Sequence, residues 1–204
     1  MPPTHDINWP LWLSTMLPMA LSAGPGNLMV ASSGARSGVR RSLRFILGLD
    51  VTYWLLALLV GLGLYHNLAA QPQWLWGLRL AGSLYIFWRG LRLLLRSRGL
   101  SAVPDAPLGF RDGVLLQLGN VQGLVMLLVM FSTFSPGTDA GSAVVLVLSA
   151  ALIAVNLFGH LLWAGLGSSL QVLMRDRPGL LVAQNALFGL LLMAVAVWIF
   201  LRGA

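Results

Sequence analysis

The chain has 204 residues, of which 57% are hydrophobic and only 9% charged, whereas an ordinary soluble domain carries roughly 25% charged residues. That composition excludes a soluble globular fold, because too few polar residues are present to cover the apolar ones. A formal charge of +7 raises nucleic acid or an anionic surface as partners, and the placement of the charges argues against nucleic acid.

Six largely uncharged segments each reach the ~20 residues that a helix needs to cross about 30 Å of hydrocarbon. They are Leu11–Ser33, Leu43–Leu64, Trp74–Leu95, Val114–Phe134, Ala143–Leu166 and Gly179–Leu201. The predicted fold is therefore all-α and polytopic, a single membrane domain over residues 1–204 with lipid as its surroundings. The first segment has no basic residues before it, carries Asp6 ahead of it, and is interrupted by Pro18 and by Gly24, Pro25 and Gly26. It reads as a retained helix and not a cleaved signal.

All 13 basic residues are Arg, and they fall in or beside alternate connections. Arg36, Arg40, Arg41 and Arg44 follow the first segment; Arg89, Arg92, Arg96, Arg98 and Arg111 surround the third connection; Arg175 and Arg177 form the fifth. The connections around residues 65–73 and 135–142 have none, and Arg79 and Arg202 alone depart from the pattern. The positive-inside rule makes the Arg-bearing loops cytoplasmic and places the N-terminus outside. Trp9, Trp12, Trp74 and Trp76 gather at the outer boundary, where amphipathic rings prefer to sit. Trp54, Trp88 and Trp163 read as packing residues.

The longest polar interval, residues 96–112, divides the chain into a first three-helix half over 1–98 and a second over 110–204. Because three is odd, two such halves enter the membrane from opposite sides and form an inverted repeat. A short internal match agrees, Gly26-Asn27-Leu28 in the first helix against Gly119-Asn120-Val121 in the fourth.

Both segments are helix interruptions. Pro25 lacks an N–H, its ring clashes with the carbonyl four residues earlier, and Gly24 and Gly26 flank it. Broken helices at membrane depth persist only where protein or water satisfies their backbone, and transporters place binding sites there. A helical half beginning after Pro25 directs N–H groups and partial positive charge to that point, which suits a carboxylate. Gly24, Pro25, Gly26 and Asn27 are one set of candidate substrate-binding residues. Gln117, Asn120 and Gln122 put three amides within six residues of the fourth helix, and Asn120 and Gln122 complete the set. Interhelical hydrogen bonding is the alternative for these amides.

Asp50 is the only acidic residue well inside a segment, which marks it as a proton carrier or a counter-charge. Pairing with Arg44 is a poor alternative, since six residues along a helix do not face each other; simple reach to the cytoplasmic interface is the other. His160, one turn after Asn156, is a second proton-coupling candidate. Cys and Glu are absent, which removes thiol chemistry and leaves no metal site of recognised ligand spacing. No pair of acids, no nucleophile with its base and no phosphate-binding loop points to an enzyme or a cofactor. Gly34 and Gly38 have the spacing of a helix-packing motif but fall at a helix end, where that spacing decides nothing.

Taken in order, these motifs resemble the LysE/RhtB amino-acid exporters. Gly24-Pro25-Gly26-Asn27, the small residues Ser32-Ser33-Gly34 and the basic Arg40-Arg41 match that family's broken first helix and basic loop. Leu80-Ala81-Gly82-Ser83-Leu84-Tyr85 with Trp88 looks like its third-helix segment. Asn120-Val121 and Phe131-Ser132-Thr133-Phe134 look most like the branch exporting cysteine and O-acetylserine. Gln122 stands where the family usually has Lys, and the family's acidic residue in helix two would fall near Tyr53, one turn from Asp50.

The resemblance implies a proton-coupled secondary exporter of small neutral amino acids, of the cysteine/O-acetylserine or homoserine/threonine type, in a bacterial inner membrane. It implies alternating access between the two halves, and a chain this small suits a homodimer. A non-transporting membrane scaffold or assembly factor is the alternative from another class, and a channel is a third.

Overall fold

The computed structural model describes residues 7–63, 72–97, 107–134, 142–174 and 178–202. They form α1 (Trp9–Leu21), α2 (Pro25–Gly61), α3 (Pro72–Ser97), α4 (Phe110–Leu118), α5 (Val121–Phe134), α6 (Ser142–Met174) and α7 (Pro178–Arg202). The connections at residues 65–71 and 135–141, and Arg98, Arg175 and Arg177, lie outside the described residues.

The expected first helix is two helices. Asn8 caps α1 by accepting from Leu11 N at 3.1 Å, and Pro18 is accommodated inside the helix. The chain then leaves helical geometry at Ser22 (φ −61, ψ 152) and stays extended at Gly24 (φ −77, ψ 174). Pro25 occupies the first turn of α2, where its missing N–H costs nothing and its ring drives the preceding residue to extended geometry. The break therefore precedes Pro25 instead of falling on it.

α2 spans 37 residues, about 55 Å if straight, but it is a hairpin. Gly38 has φ 76 and ψ 165, a region that essentially only glycine occupies. The two Oγ atoms of Ser33 and Ser42 lie 2.8 Å apart, whereas nine residues along a straight helix span about 13.5 Å. The arms, residues 25–37 and 39–61, turn back on each other at Gly38. Arg36, Arg40 and Arg41 flank that tip, and the second arm contains the expected segment that begins at Leu43.

α4 and α5 meet at a bend of 65°. α3, α6 and α7 cover the segments expected from Trp74, Ala143 and Gly179 onward. By length and composition α2 and residues Ser142–Leu173 are membrane-span candidates, and the bent α4–α5 pair counts as a third if taken as one span.

Two buried apolar clusters organise the interior. One, containing Met29, Phe45, Ile46, Leu49, Ile86, Leu116 and Leu192, lies toward the Arg-flanked hairpin tip. The other contains Trp12, Met16, Tyr53, Met126, Met130, Leu148 and Leu152 and lies on the far side of the helix breaks. Outward faces carry half-exposed apolar residues such as Leu47, Leu55, Leu84, Phe158 and Trp198, an excess that hydrocarbon and not water accommodates.

Candidate functional site

The two breaks lie against each other. Gln122 Nε2 donates to Ser22 Oγ at 2.6 Å across 100 residues of sequence, and the Gln122 side chain fills the space that a Cβ on Gly24 would need. Where the family pattern has Lys, this chain thus has an amide tying α5 to the α1–α2 break.

Ending α1 leaves carbonyl groups without intrahelical partners, and at membrane depth each unsatisfied group costs several kcal/mol. Asn27 Nδ2 donates to Ala20 O and Ser22 O, both at 2.7 Å. Trp163 Nε1 donates to Leu21 O at 3.2 Å. Asn27 is one of the candidate substrate-binding residues, but both N–H bonds of its side-chain amide are committed to the break. Oδ1 is its remaining polar atom. No side chain caps the N-terminus of α2, so the first-turn N–H groups of Gly26 and Asn27 stay oriented toward the break.

The second break is closed differently. Asn120 Oδ1 accepts from Gly123 N at 3.2 Å, the bond of a helix N-cap. Asn120 Nδ2 donates to Gln117 Oε1 at 3.3 Å, so these two amides meet. Tyr53 OH, from the second arm of α2, donates to Gly123 O at 3.0 Å.

A cavity of about 40 Å³ lies between the breaks, room for about three waters by the volume each requires. Met19, Ala20 and Met126 form its apolar wall; Asn27, Tyr53, Gln117, Asn120, Gln122, Asn156 and His160 supply polar groups, with Gly24 and Gly26 from the break itself. Pro25 is buried at the start of α2 but is not part of the lining.

Asp50 is not part of that lining either. It stands behind His160, with His160 Nδ1 and Asp50 Oδ1 2.9 Å apart and both side chains buried. The orientation is not that of an aligned hydrogen bond, and neither Asp50 oxygen accepts one from any described residue. Two residues expected to act separately are thus one acid–imidazole pair, with the imidazole between the acid and the cavity. Arg44 is not the partner of Asp50; it lies exposed, about 120° around α2's second arm from it.

Sequence reasoning did not single out Tyr53 or Trp163 as parts of the site. Tyr53 could have been found from its place one turn beyond Asp50. Trp163 left no local signal, because it reaches the α1 terminus from 142 residues away. Trp88, expected to pack, is instead half-exposed, with the Arg89 and Arg92 guanidiniums 5.5 and 4.9 Å from its ring centre. Among the described residues no group of His, Cys, Asp or Glu could hold a metal ion.

Interrupted helices around a polar, partly apolar cavity, in a helical protein with lipid-compatible faces, define the class of membrane transporters. The LysE type translocator family model matches residues 17–203, and the chain belongs to that family. It is a polytopic membrane protein of amino-acid efflux, a transporter and not an enzyme. It is 31% identical over 191 residues to the "Cysteine/O-acetylserine efflux protein" of Escherichia coli strain K12, covering 93% of this chain and 95% of that protein. Proteins of the same description from Escherichia coli O1:K1 and Shigella flexneri serotype 5b match to the same extent. No solved structure matches.

Proposed function

We propose that this chain exports cysteine, O-acetylserine or another neutral amino acid of that size across a bacterial inner membrane, driven by protons. The supporting observation is the meeting of two broken helices around one cavity, with an uncapped helix N-terminus on one side and a buried acid–imidazole pair behind the other. In this reading the chain crosses the membrane six times. α1 with the first arm of α2 is one crossing, the second arm another, and α3, the α4–α5 pair, α6 and α7 are the rest. The halves 1–98 and 110–204 are inverted copies, and the Arg-flanked side is cytoplasmic with the N-terminus outside.

The substrate carboxylate lies at the N-terminus of α2, where the N–H groups of Gly26 and Asn27 and the helix dipole, about half a positive charge, favour an anion. Among the described residues no Arg lines the cavity, and in this reading the dipole takes the place of the family Lys. Gln117, Asn120 and Asn156 face the polar remainder of the substrate, and Met19 and Met126 its apolar part. Asp50 exchanges the proton through His160, which separates it from the cavity. The cavity is too small for a whole amino acid, so loading requires the helix breaks to part.

Export of labelled O-acetylserine from cells producing the protein, and its uptake into inverted vesicles with an imposed pH gradient, test this. Asp50→Asn is expected to remove gradient-driven accumulation while leaving the protein in the membrane and leaving exchange of labelled for unlabelled substrate intact. Undiminished accumulation by Asp50→Asn would overturn the proton role. Flux that an uncoupler leaves unchanged would favour a channel.

A further inference from the structure

Among the described residues, three helix crossings are made by glycine from both sides. At the first, a Cβ on Gly34 would collide with the Ala164 carbonyl, and one on Gly167 with the Ala31 carbonyl. At the second, Gly48 abuts the Phe110 carbonyl, and Gly113 abuts the backbone of Phe45 and Leu49. At the third, Gly90 and Gly189 each hold the other's carbonyl oxygen within 2.8 Å of where a Cβ would stand. These are contacts of backbone on backbone, the approach that small residues permit between membrane helices.

Their placement is one-sided. The first two grip the two arms of the α2 hairpin close to its Arg-flanked tip at Gly38, and Arg111 and Arg89 adjoin the partners of the second and third. At the cavity and beyond it, the described glycines make no such collision with backbone: Gly24 faces the Gln122 side chain, Gly61 faces Val145 and Phe131, and a Cβ on Gly159 would meet the Ala20 carbonyl only at 3.4 Å. Packing there relies on adaptable residues such as Met16, Met126 and Met130, which fill gaps without fixing one arrangement. Packed around these crossings, Met29, Phe45, Leu49 and Leu116 are almost wholly buried.

We propose that the two glycine crossings on the α2 hairpin form the gate that shuts the cavity off from the Arg-flanked side, and that this structure is the shut state. The inference rests on the export reading, since an exporter must open to the side from which it loads. Backbone surfaces in contact have no side-chain rotamers with which to yield gradually. Such a crossing is either closed or parted, as the bistable packing of switching elements requires. α4 and α6 hold opposite arms of the hairpin, so moving either away from it uncovers the same apolar plug.

The chain has no cysteine, so a single reporter can be introduced. Ser32 is 2% exposed, lies beside the first crossing, and Ser32→Cys is nearly isosteric. Its labelling by a membrane-impermeant maleimide, applied to the Arg-flanked side in inverted vesicles, reads the gate. The expected result is slow labelling in the parent and labelling about tenfold or more faster with Gly34→Ala or Gly113→Ala, as overpacking disfavours the shut state. Gly165→Ala, where a Cβ meets nothing within 4 Å, should label like the parent. Supplying O-acetylserine to the reporter protein in its otherwise native form should also speed labelling, a measurement that needs no gate variant to fold. Unchanged labelling in the folded gate variants, or no response to O-acetylserine in a protein that demonstrably exports it, overturns the gate. Absence of export by the unlabelled parent counts against the export reading instead, and leaves the variants' labelling rates to judge the gate by themselves.

Discussion

The two helix breaks face each other across one cavity, yet they are terminated by opposite means. At the first, side chains serve the helix that ends: Asn27 and Trp163 donate to three consecutive carbonyls of residues 20–22, and α2 begins without a side-chain cap. At the second, the side chain serves the helix that starts, with Asn120 accepting from Gly123 N. A break that satisfies its acceptors and leaves its donors open attracts an anion, whereas a break that has supplied its own acceptor does not. Sequence similarity between the two segments, Gly-Asn in each, therefore conceals a difference in electrostatic role.

That contrast can be broken most sharply by the same substitution at each site. Asn27→Asp removes both donated bonds and sets a carboxylate against Ala20 O and Ser22 O; Ser22 O keeps its bond from Gly24 N at 2.7 Å, but Ala20 O loses its donor, and at membrane depth an unsatisfied group costs several kcal/mol. The expected outcome is little folded protein in the membrane and no export. Asn120→Asp keeps the capping acceptor and loses only the bond to Gln117, about 1 kcal/mol, so it should accumulate and melt near the parent. Equal losses in thermal melting of the purified proteins would show that the breaks are not closed differently.

A smaller effect is expected from Gln122→Lys, which restores the family residue beside the uncapped terminus. An added cation should strengthen carboxylate binding and lower the export KM about tenfold, or about 1.4 kcal/mol, while leaving melting little changed. A KM that is unmoved would mean the carboxylate does not lie at the first break. The smallest effect belongs to Trp163→Phe, which keeps the ring but drops the bond to Leu21 O. Leu21 and Trp163 are only half-buried, so a loss of about 1 kcal/mol is expected in denaturant unfolding, together with slower export; no loss of stability would mean that water serves that carbonyl equally well.

Much of the architecture was legible because its causes are local. The helix segments announce themselves by length and apolarity, and the first break by Pro25 with its glycine neighbours, since those residues restrict their own backbone. Gln117 and Asn120 stand about one helical turn apart in sequence, and they meet. The hairpin at Gly38 was less legible, for the Gly34–Gly38 spacing suits a packing motif equally well. In the structure the two glycines divide the work, Gly38 making the turn and Gly34 the close approach.

What depended on distant sequence was not legible at all. Asp50 and His160 were each identified as buried ionisable residues, but their contact spans 110 positions and nothing in either neighbourhood specifies it. Likewise Asn27 read as a polar residue facing a ligand, until the end of α1 folded back within reach of its donors.

The sequence by itself determined that this chain is a helical membrane protein of the LysE type, which segments are apolar enough for lipid, and that a helix breaks beside Pro25, because hydrophobicity and the stereochemistry of proline and glycine act within a few residues, although Pro18 is accommodated inside α1. Only the tertiary structure decided which amides remain open to a ligand, which base faces the buried acid, and which glycines bring backbones together, because hydrogen bonds and packing are settled between segments that the chain alone does not place side by side.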